Sequence, residues 1–238
     1  MKEIDFNNLP KHIGIIMDGN GRWAKNRFMP RITGHKEGMN RVVDIVEECC
    51  KIGIETLTLY AFSTENWKRP KDEVNGLMDI LVIYINSQLK RILENNIIFR
   101  VVGDYSKLPK SIVKLLDDSI EKTKLNTGMV LNIALNYGGR SEIISAIKSL
   151  CKDIFEEKIS LNDLDEENFK NYLYTRENSD VDLIIRTGNE KRISNFLIYQ
   201  IAYSEFYFTD VLWPEFFAEN LYDAIYDFQN RNRRFGGV

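Results

Sequence analysis

The chain has 238 residues, with 32 Lys and Arg against 35 Asp and Glu, and the resulting net charge of −3 offers no general attraction to nucleic acid. That length suits an α/β sheet protein, and no Pro/Ser-rich linker or low-complexity run divides residues 1–238, which read as a single domain. Cys49, Cys50 and Cys151 are too few and too unevenly spaced for a disulfide framework or a zinc site and read as reduced, buried thiols, while the greasiest stretch, Leu77 to Ile85, contains Asp79 and is too short to span a bilayer.

The N-terminal residues show no basic region running into an apolar core, so a cytoplasmic location is expected. Along the chain, apolar runs alternate with segments of helical period, the pattern of a mostly parallel sheet with crossover helices. Strands are expected at 12–17, 55–62, 97–102, 129–135, 181–186 and 205–208. Helices are expected at 36–51, 72–95, 109–123, 139–157, 165–174 and 218–231.

The first strand ends in Asp18-Gly-Asn-Gly-Arg22, followed by Trp23. Gly19 and Gly21 permit positive φ and let main-chain N–H groups approach an anion closely. A carboxylate beside such amides would repel a phosphate unless it holds a hard cation, such as Mg²⁺, that the phosphate shares. The plainer reading is a strand-to-helix turn capped by Asp18, and this segment alone does not separate the two. His35, between Gly34 and the next helix, is either a turn or capping residue or, with Arg31 four residues earlier, part of a phosphate site. His12 stands at the strand's far end and reads as structural.

Ser63-Thr-Glu-Asn-Trp-Lys-Arg69 follows the second strand, Asn136-Tyr-Gly-Gly-Arg140 the fourth and Arg186-Thr-Gly188 the fifth. Taken singly, Asn66 can initiate a turn and Trp67 can pack on a helix, whereas Arg69 before Pro70 leads into a helix start that favours anions. All these clusters lie at strand carboxyl ends, which form one rim in an open parallel sheet, so they are expected to converge there. An extended Arg192-Ile-Ser194 would put the guanidinium and the hydroxyl on one side, making a second anion site with Arg186. Glu205 lies in an aromatic, apolar region and calls for a metal or a cationic partner. Ile80 to Ile85 is apolar throughout, so the helix holding it is either wrapped by neighbours or lines a pocket for a hydrocarbon.

Taken together, Met17-Asp-Gly-Asn-Gly-Arg-Trp23, Gly34-His35, Tyr60-Ala-Phe-Ser-Thr-Glu-Asn-Trp67 with Arg69-Pro70, Asn136-Tyr-Gly-Gly-Arg140, Arg186-Thr-Gly188, Arg192-Ile-Ser-Asn-Phe196, Tyr207-Phe-Thr-Asp-Val-Leu-Trp-Pro214 and Arg234-Phe-Gly236 resemble the motifs of cis-prenyltransferases, in order, from about residue 9 onward. The resemblance implies an α/β fold with an elongated hydrophobic tunnel between sheet and helices. It also implies a Mg²⁺-dependent homodimer that condenses isopentenyl diphosphate onto farnesyl diphosphate. The implied product is a long-chain polyprenyl diphosphate, undecaprenyl diphosphate, the lipid-carrier precursor for cell-wall synthesis. Membrane association is expected to be peripheral at most, for product release.

By the same resemblance Asp18 matches the metal and diphosphate residue, with Gly19, Asn20, Gly21, Arg22, Trp23, Arg31 and His35 around the allylic diphosphate. Asn66 matches a catalytic asparagine. Ser63, Glu65, Trp67 and Arg69 belong to the adjoining substrate loop, Arg186, Arg192 and Ser194 to the isopentenyl diphosphate site, and Glu205 to a metal site. Arg234 and Gly236 match residues that reach substrate across the dimer. Asn189 and Lys191 stand where the family often has glycine and histidine or glutamine; asparagine tolerates left-handed backbone best after glycine. A non-catalytic partner subunit of the same fold would tend to lose Asp18, the arginine pair or the Arg-x-Gly ending, and the chain keeps all three. A nucleotide-binding enzyme lacks support, since there is no Gly-Lys-Ser/Thr loop or strand-linked G-x-G-x-x-G. Asp117-Asp118 lacks the third aspartate of trans-type enzymes.

Overall fold

Six strands, β1 (His12–Ile16), β2 (Thr56–Ser63), β3 (Ile98–Val102), β4 (Val130–Tyr137), β5 (Leu183–Arg186) and β6 (Glu205–Phe208), form one sheet in the order β3-β4-β2-β1-β5-β6, every pairing parallel. The computed structural model describes residues 3–176 and 180–232. Each strand lies within two residues of the span expected from its apolar run. Parallel strands are covered on both faces, which is why β1, β4 and β5 are buried along their whole length.

Helices α1 (Asn20–Asn26), α2 (Arg31–Ile52), α3 (Lys71–Glu94), α4 (Lys110–Thr123), α5 (Gly139–Phe155), α6 (Glu166–Lys170) and α7 (Ala218–Gln229) connect or follow the strands. Proline caps the starts of α2, α3 and α4, where its fixed φ suits the entry and its missing N–H leaves no donor unpaired. On one sheet face Ile13, Ile15, Leu57, Leu59, Leu131 and Ile185 pack with Val42, Ile45, Ile85, Leu116 and Ala224 of the helices in the main core. Each of the Val, Leu and Ile side chains contributes roughly 1.5–3 kcal/mol on full burial. The opposite face holds a smaller cluster of Ile16, Ala134, Tyr137, Ile184, Phe196 and Leu197. That face also carries a polar row: Asn132 Nδ2 donates to Thr58 Oγ1 at 3.1 Å, and His12 Nε2 lies 2.7 Å from the same oxygen. His12 is thus buried at the amino end of β1, away from the rim.

The structure departs from the sequence expectations at several points. The glycine-spaced segment after β1 forms helix α1 rather than a turn, and α2 begins at Arg31 rather than residue 36, so His35 sits inside a helix. Gly34 looks like a breaker but serves a close approach: a Cβ there would lie 2.0 Å from the Asn20 carbonyl oxygen, and one at Gly38 would lie 2.2 Å from Asn20 Oδ1. Strand β2 contains a bulge after Tyr60, so Ala61 is left exposed and Phe62 pairs with Leu135 on the main-core side. Ile83 is 64% exposed, so α3 is not buried all round, and helix α6 stops at Lys170, short of residue 174. Cys49 is buried as expected, but Cys151 is exposed on the outer side of α5. Among the described residues no helix is long and apolar enough to cross a membrane.

Because the atom that a Gly34 side chain would strike belongs to the backbone, it cannot rotate away. Gly34→Ala should therefore destabilise the fold by about 1–3 kcal/mol, and urea unfolding of the two proteins would measure it. An unchanged midpoint would mean that α1 and α2 separate freely.

Candidate active site

Pairing of β1 with β5 sets Ile16 opposite Arg186, so the residues just beyond both strands meet at one edge. Arg186 Nη2 donates to Asp18 Oδ2 at 2.9 Å, and the Arg186 side chain is only 3% exposed. Its Nη1 donates to Ser194 Oγ at 2.8 Å and to the Arg192 carbonyl, while Nε is buried with no partner. The Thr187 hydroxyl donates to the Asp18 carbonyl at 2.7 Å. Gly188 follows at φ 78, and a Cβ there would lie 2.6 Å from Arg22 Nη2 and 3.1 Å from the Asp18 carbonyl oxygen. Arg22 Nη2 is 3.8 Å from Asp18 Oδ1 and 4.0 Å from Glu190, which also pairs with Arg192. Three guanidiniums thus face two carboxylates, leaving a net positive rim suited to anions.

A second cationic group forms where α2 and α3 begin. Glu73 holds Arg69 at 2.9 Å and Arg31 at 3.4 Å. His35 Nε2 is buried there without a partner. Burial, followed by the charges of Arg69 and Arg31 and against the pull of Glu73, pushes the His35 pKa down to about 4, so the ring is neutral near pH 7.

Beyond β2 the chain turns through a 3₁₀ segment, Thr64–Lys68, where the Ser63 amide donates to Asn66 Oδ1 at 3.1 Å. Trp67 Nε1 donates to Asn136 Oδ1 at 2.7 Å. Burial would raise the Glu65 pKa, but hydrogen bonds from its own backbone, Asn195, Thr64 and Ser63 outweigh it and hold the carboxyl below its ordinary range. It therefore stays ionised.

A cavity of about 620 Å³ lies between the main-core face of the sheet and helices α2 and α3, lined by members of all three groups but not by Arg22, Arg31 or Trp67. Asp18, Asn20, His35, Ser63, Glu65, Asn66, Arg69, Arg186, Arg192 and Ser194 line its polar end, and Val42, Leu59, Leu81, Ile85, Phe99 and Leu135 its apolar depth. Gly19, at φ 112, and Gly21 shape the turn behind Asp18. Trp23 lies beneath the Arg27 guanidinium, and Trp67 is 42% exposed and packs edge-on against Phe62.

A sequence profile described as "Putative undecaprenyl diphosphate synthase" matches residues 16–236. The isoprenyl transferase of Clostridium tetani is 56% identical over 236 residues, covering 99% of this chain and 92% of that protein. The chain belongs to this isoprenyl transferase family. The isoprenyl transferase of Bacillus subtilis is 50% identical over 97% of this chain and 88% of its own length. Among solved structures, lavandulyl diphosphate synthase from Lavandula x intermedia, in complex with dimethylallyl diphosphate, superposes with a TM-score of 0.92 at 34% identity, covering 96% of this chain and 98% of its own. A probable undecaprenyl diphosphate synthase from Campylobacter jejuni gives 0.79 at 36% identity, covering 99% and 100%.

One segment of this family member differs from the sequence reading, and at Glu205 one of two alternatives is met. Arg192 to Ser194 is not extended: Ser194 has φ 48, and the Arg192 carbonyl, not its guanidinium, meets Arg186. Glu205 opens β6 opposite Leu183, so parallel pairing sets it at the sheet edge away from Asp18, where Arg231 holds it at 2.7 Å. The expected cationic partner is therefore an arginine. Arg234 and Gly236 lie outside the described residues. Among the described residues no group of three or more His, Cys, Asp or Glu could enclose a metal. With Glu190 held by Arg192 and Glu65 by Asn195, Asp18 brings one carboxylate and fits a hard cation only if substrate oxygens complete its shell, as is usual for Mg²⁺ on phosphates. Glu73 and Glu190, which hold the arginines, were not singled out from the sequence; Glu73 lies four residues after Arg69 at a helix start, a spacing that points to such a pair.

The depressed pKa of His35 has a consequence for stability. Below 6.5 the unfolded chain takes up a proton that the folded chain accepts only near 4, so stability is complete above about pH 6.5 and is lost as pH falls through that window. His35→Gln should flatten this dependence: in urea titrations the wild type should lose more stability than the variant between about pH 7 and pH 5. Parallel curves would show that His35 titrates alike in both states.

Proposed function

We propose that the chain condenses isopentenyl diphosphate successively onto an allylic diphosphate, farnesyl diphosphate as primer, adding each unit with a cis double bond to give undecaprenyl diphosphate, a lipid-carrier precursor for cell-wall synthesis. The observation that carries this reading is the cationic rim opening directly into an apolar cavity of about 620 Å³. A diphosphate head and a hydrocarbon tail need those two environments side by side. The solved relative that holds dimethylallyl diphosphate supports an allylic diphosphate as one ligand.

On this reading the allylic head lies at Asp18, Arg22, Arg31 and the turn at Gly19 to Gly21, with His35 beside it. The isopentenyl head lies at Arg186, Arg192 and Ser194, with Ser63, Glu65, Asn66, Trp67 and Arg69 bordering the reacting carbons. The double bond of the isopentenyl unit attacks the allylic carbon. The C–O bond breaks with its electrons leaving on diphosphate, and the proton then lost from the isopentenyl unit to restore a double bond passes to that released diphosphate. Guanidiniums fixed beforehand by Glu73, Glu190 and Asp18 stabilise the departing charge more in the transition state than in the ground state. Asp18 would hold Mg²⁺, which supplies further positive charge to that leaving group. Neutral His35, with a free ring nitrogen, can hydrogen-bond a phosphate oxygen without adding repulsion toward the arginines. A homodimer is part of the proposal, with Arg234 and Gly236 reaching the partner's substrate.

Incubation with labelled isopentenyl diphosphate, farnesyl diphosphate and Mg²⁺, followed by product sizing, tests the proposal directly; absence of any elongated product would remove it. Asp18→Ala should lower kcat by on the order of 10²-fold or more, and near-normal turnover would take Asp18 out of the chemistry. Each isoprene unit buried in the apolar depth contributes several kcal/mol, at roughly 0.8 per CH₂-sized group, so product release should be slow. Mild surfactant or lipid vesicles should then raise steady-state turnover without changing the rate of a single condensation.

A further inference from the structure

The loop after β5 carries Ser194 to Arg186, yet neither strand nor helix holds it. Ser194, Asn195 and Leu197 have φ of 48, 63 and 46, a left-handed conformation that of these three only asparagine adopts readily. Such backbone persists where its surroundings over-determine it. Asn195 supplies three of the constraints. Its carbonyl accepts from the Gly139 amide at 2.7 Å and its Oδ1 from the Arg140 amide at 3.0 Å. It therefore closes from outside the first turn of α5, whose own N-cap, Gly138, has no side chain to offer. Its Nδ2 donates to Glu65 Oε1 at 2.9 Å. A Cβ on Gly138 would come within 2.7 Å of that nitrogen, so the chain passes Asn195 closely. One side chain thus ties the loop after β5 to the loops after β2 and β4.

We propose that Asn195 is the positioning residue for Ser194 and Arg186, and hence sets the affinity for the isopentenyl diphosphate; this rests on the condensation proposed above. Asn195 also lines the cavity, but on this proposal it acts through those two residues rather than on the reacting atoms. Its part is to fix the hydroxyl that receives the Arg186 hydrogen bond and to couple that strap to the Glu65 segment at the cavity mouth. The side chain must donate and accept at once, which an amide does and a carboxylate of the same shape does not.

Asn195→Asp keeps the acceptor oxygens but sets a second carboxylate against Glu65. The KM for isopentenyl diphosphate should rise about ten-fold while that for farnesyl diphosphate stays within about two-fold. In Asn195→Asp/Glu65→Gln the glutamine amide can donate to the new carboxylate, the same hydrogen bond with its roles exchanged. Measured against Glu65→Gln alone, the double variant should recover most of the lost affinity. A role confined to stability would lower the melting temperature and move both KM values together or neither. That outcome, or a double variant as far above Glu65→Gln in KM as Asn195→Asp is above the wild type, overturns the inference while leaving the condensation intact. Absence of condensation by the wild type would instead overturn the function, and the inference with it.

Discussion

The ion pair between Asp18 and Arg186, 2.9 Å across the carboxyl ends of neighbouring strands, is the constraint around which the rim is built. Arg186 is almost wholly buried, and a guanidinium in that position needs a counter-charge; stripping a buried pair of one partner typically costs about 3–5 kcal/mol. Asp18 therefore holds an arginine as well as facing the cavity. The same turn is fixed through its main chain, since the Asp18 carbonyl accepts from both the Thr187 hydroxyl and the Trp213 amide. Carboxylate and guanidinium are thus set in place before any ligand arrives, which is what preorganised electrostatic stabilisation requires.

The two sheet faces divide the remaining work. The face toward α2 and α3 provides the apolar cavity, and the bulge at Ala61 turns Phe62 onto that side. The other face carries the buried row of His12, Thr58 and Asn132 and, nearer the rim, Tyr60 stacked on Phe196 at 4.5 Å. That stack supports the loop bearing Ser194, whose carbonyl accepts from the Tyr60 hydroxyl at 3.3 Å. Packing on one face thus holds polar groups that open onto the other.

The strands were legible in the sequence because burial on both faces leaves little choice but β-branched and leucine side chains, as at Ile13 to Ile16 and Leu183 to Ile185. The rim was legible too, since Asp18 and Asn66 come just after strands, Arg186 ends one, and parallel pairing brings strand ends together. What escaped depends on contacts between distant segments. Helix α1 is short, opens with glycines and owes its place to close packing on Gly34 and Gly38, which local propensity reads as breaks. The left-handed run at Ser194 and Asn195 follows from hydrogen bonds to Gly139, Arg140 and Glu65, none of them near in sequence. The surroundings of Glu205 require a metal or a cation without saying which, and the arginine that meets this need stands 26 residues later.

Strand order also bears on how the molecule is made. β1 leaves the ribosome first, but one of its two neighbours, β5, is synthesised only after residue 182, so the central strand keeps an unpaired edge through most of translation. Closing a loop of 168 residues between Asp18 and Arg186 adds little to the entropy cost of a shorter one, because that cost grows only with the logarithm of length. The wait itself is the hazard, for an apolar strand with open amide and carbonyl groups can pair with another nascent copy. Ribosome-bound chains that stop short of β5 should therefore be the species most dependent on chaperones.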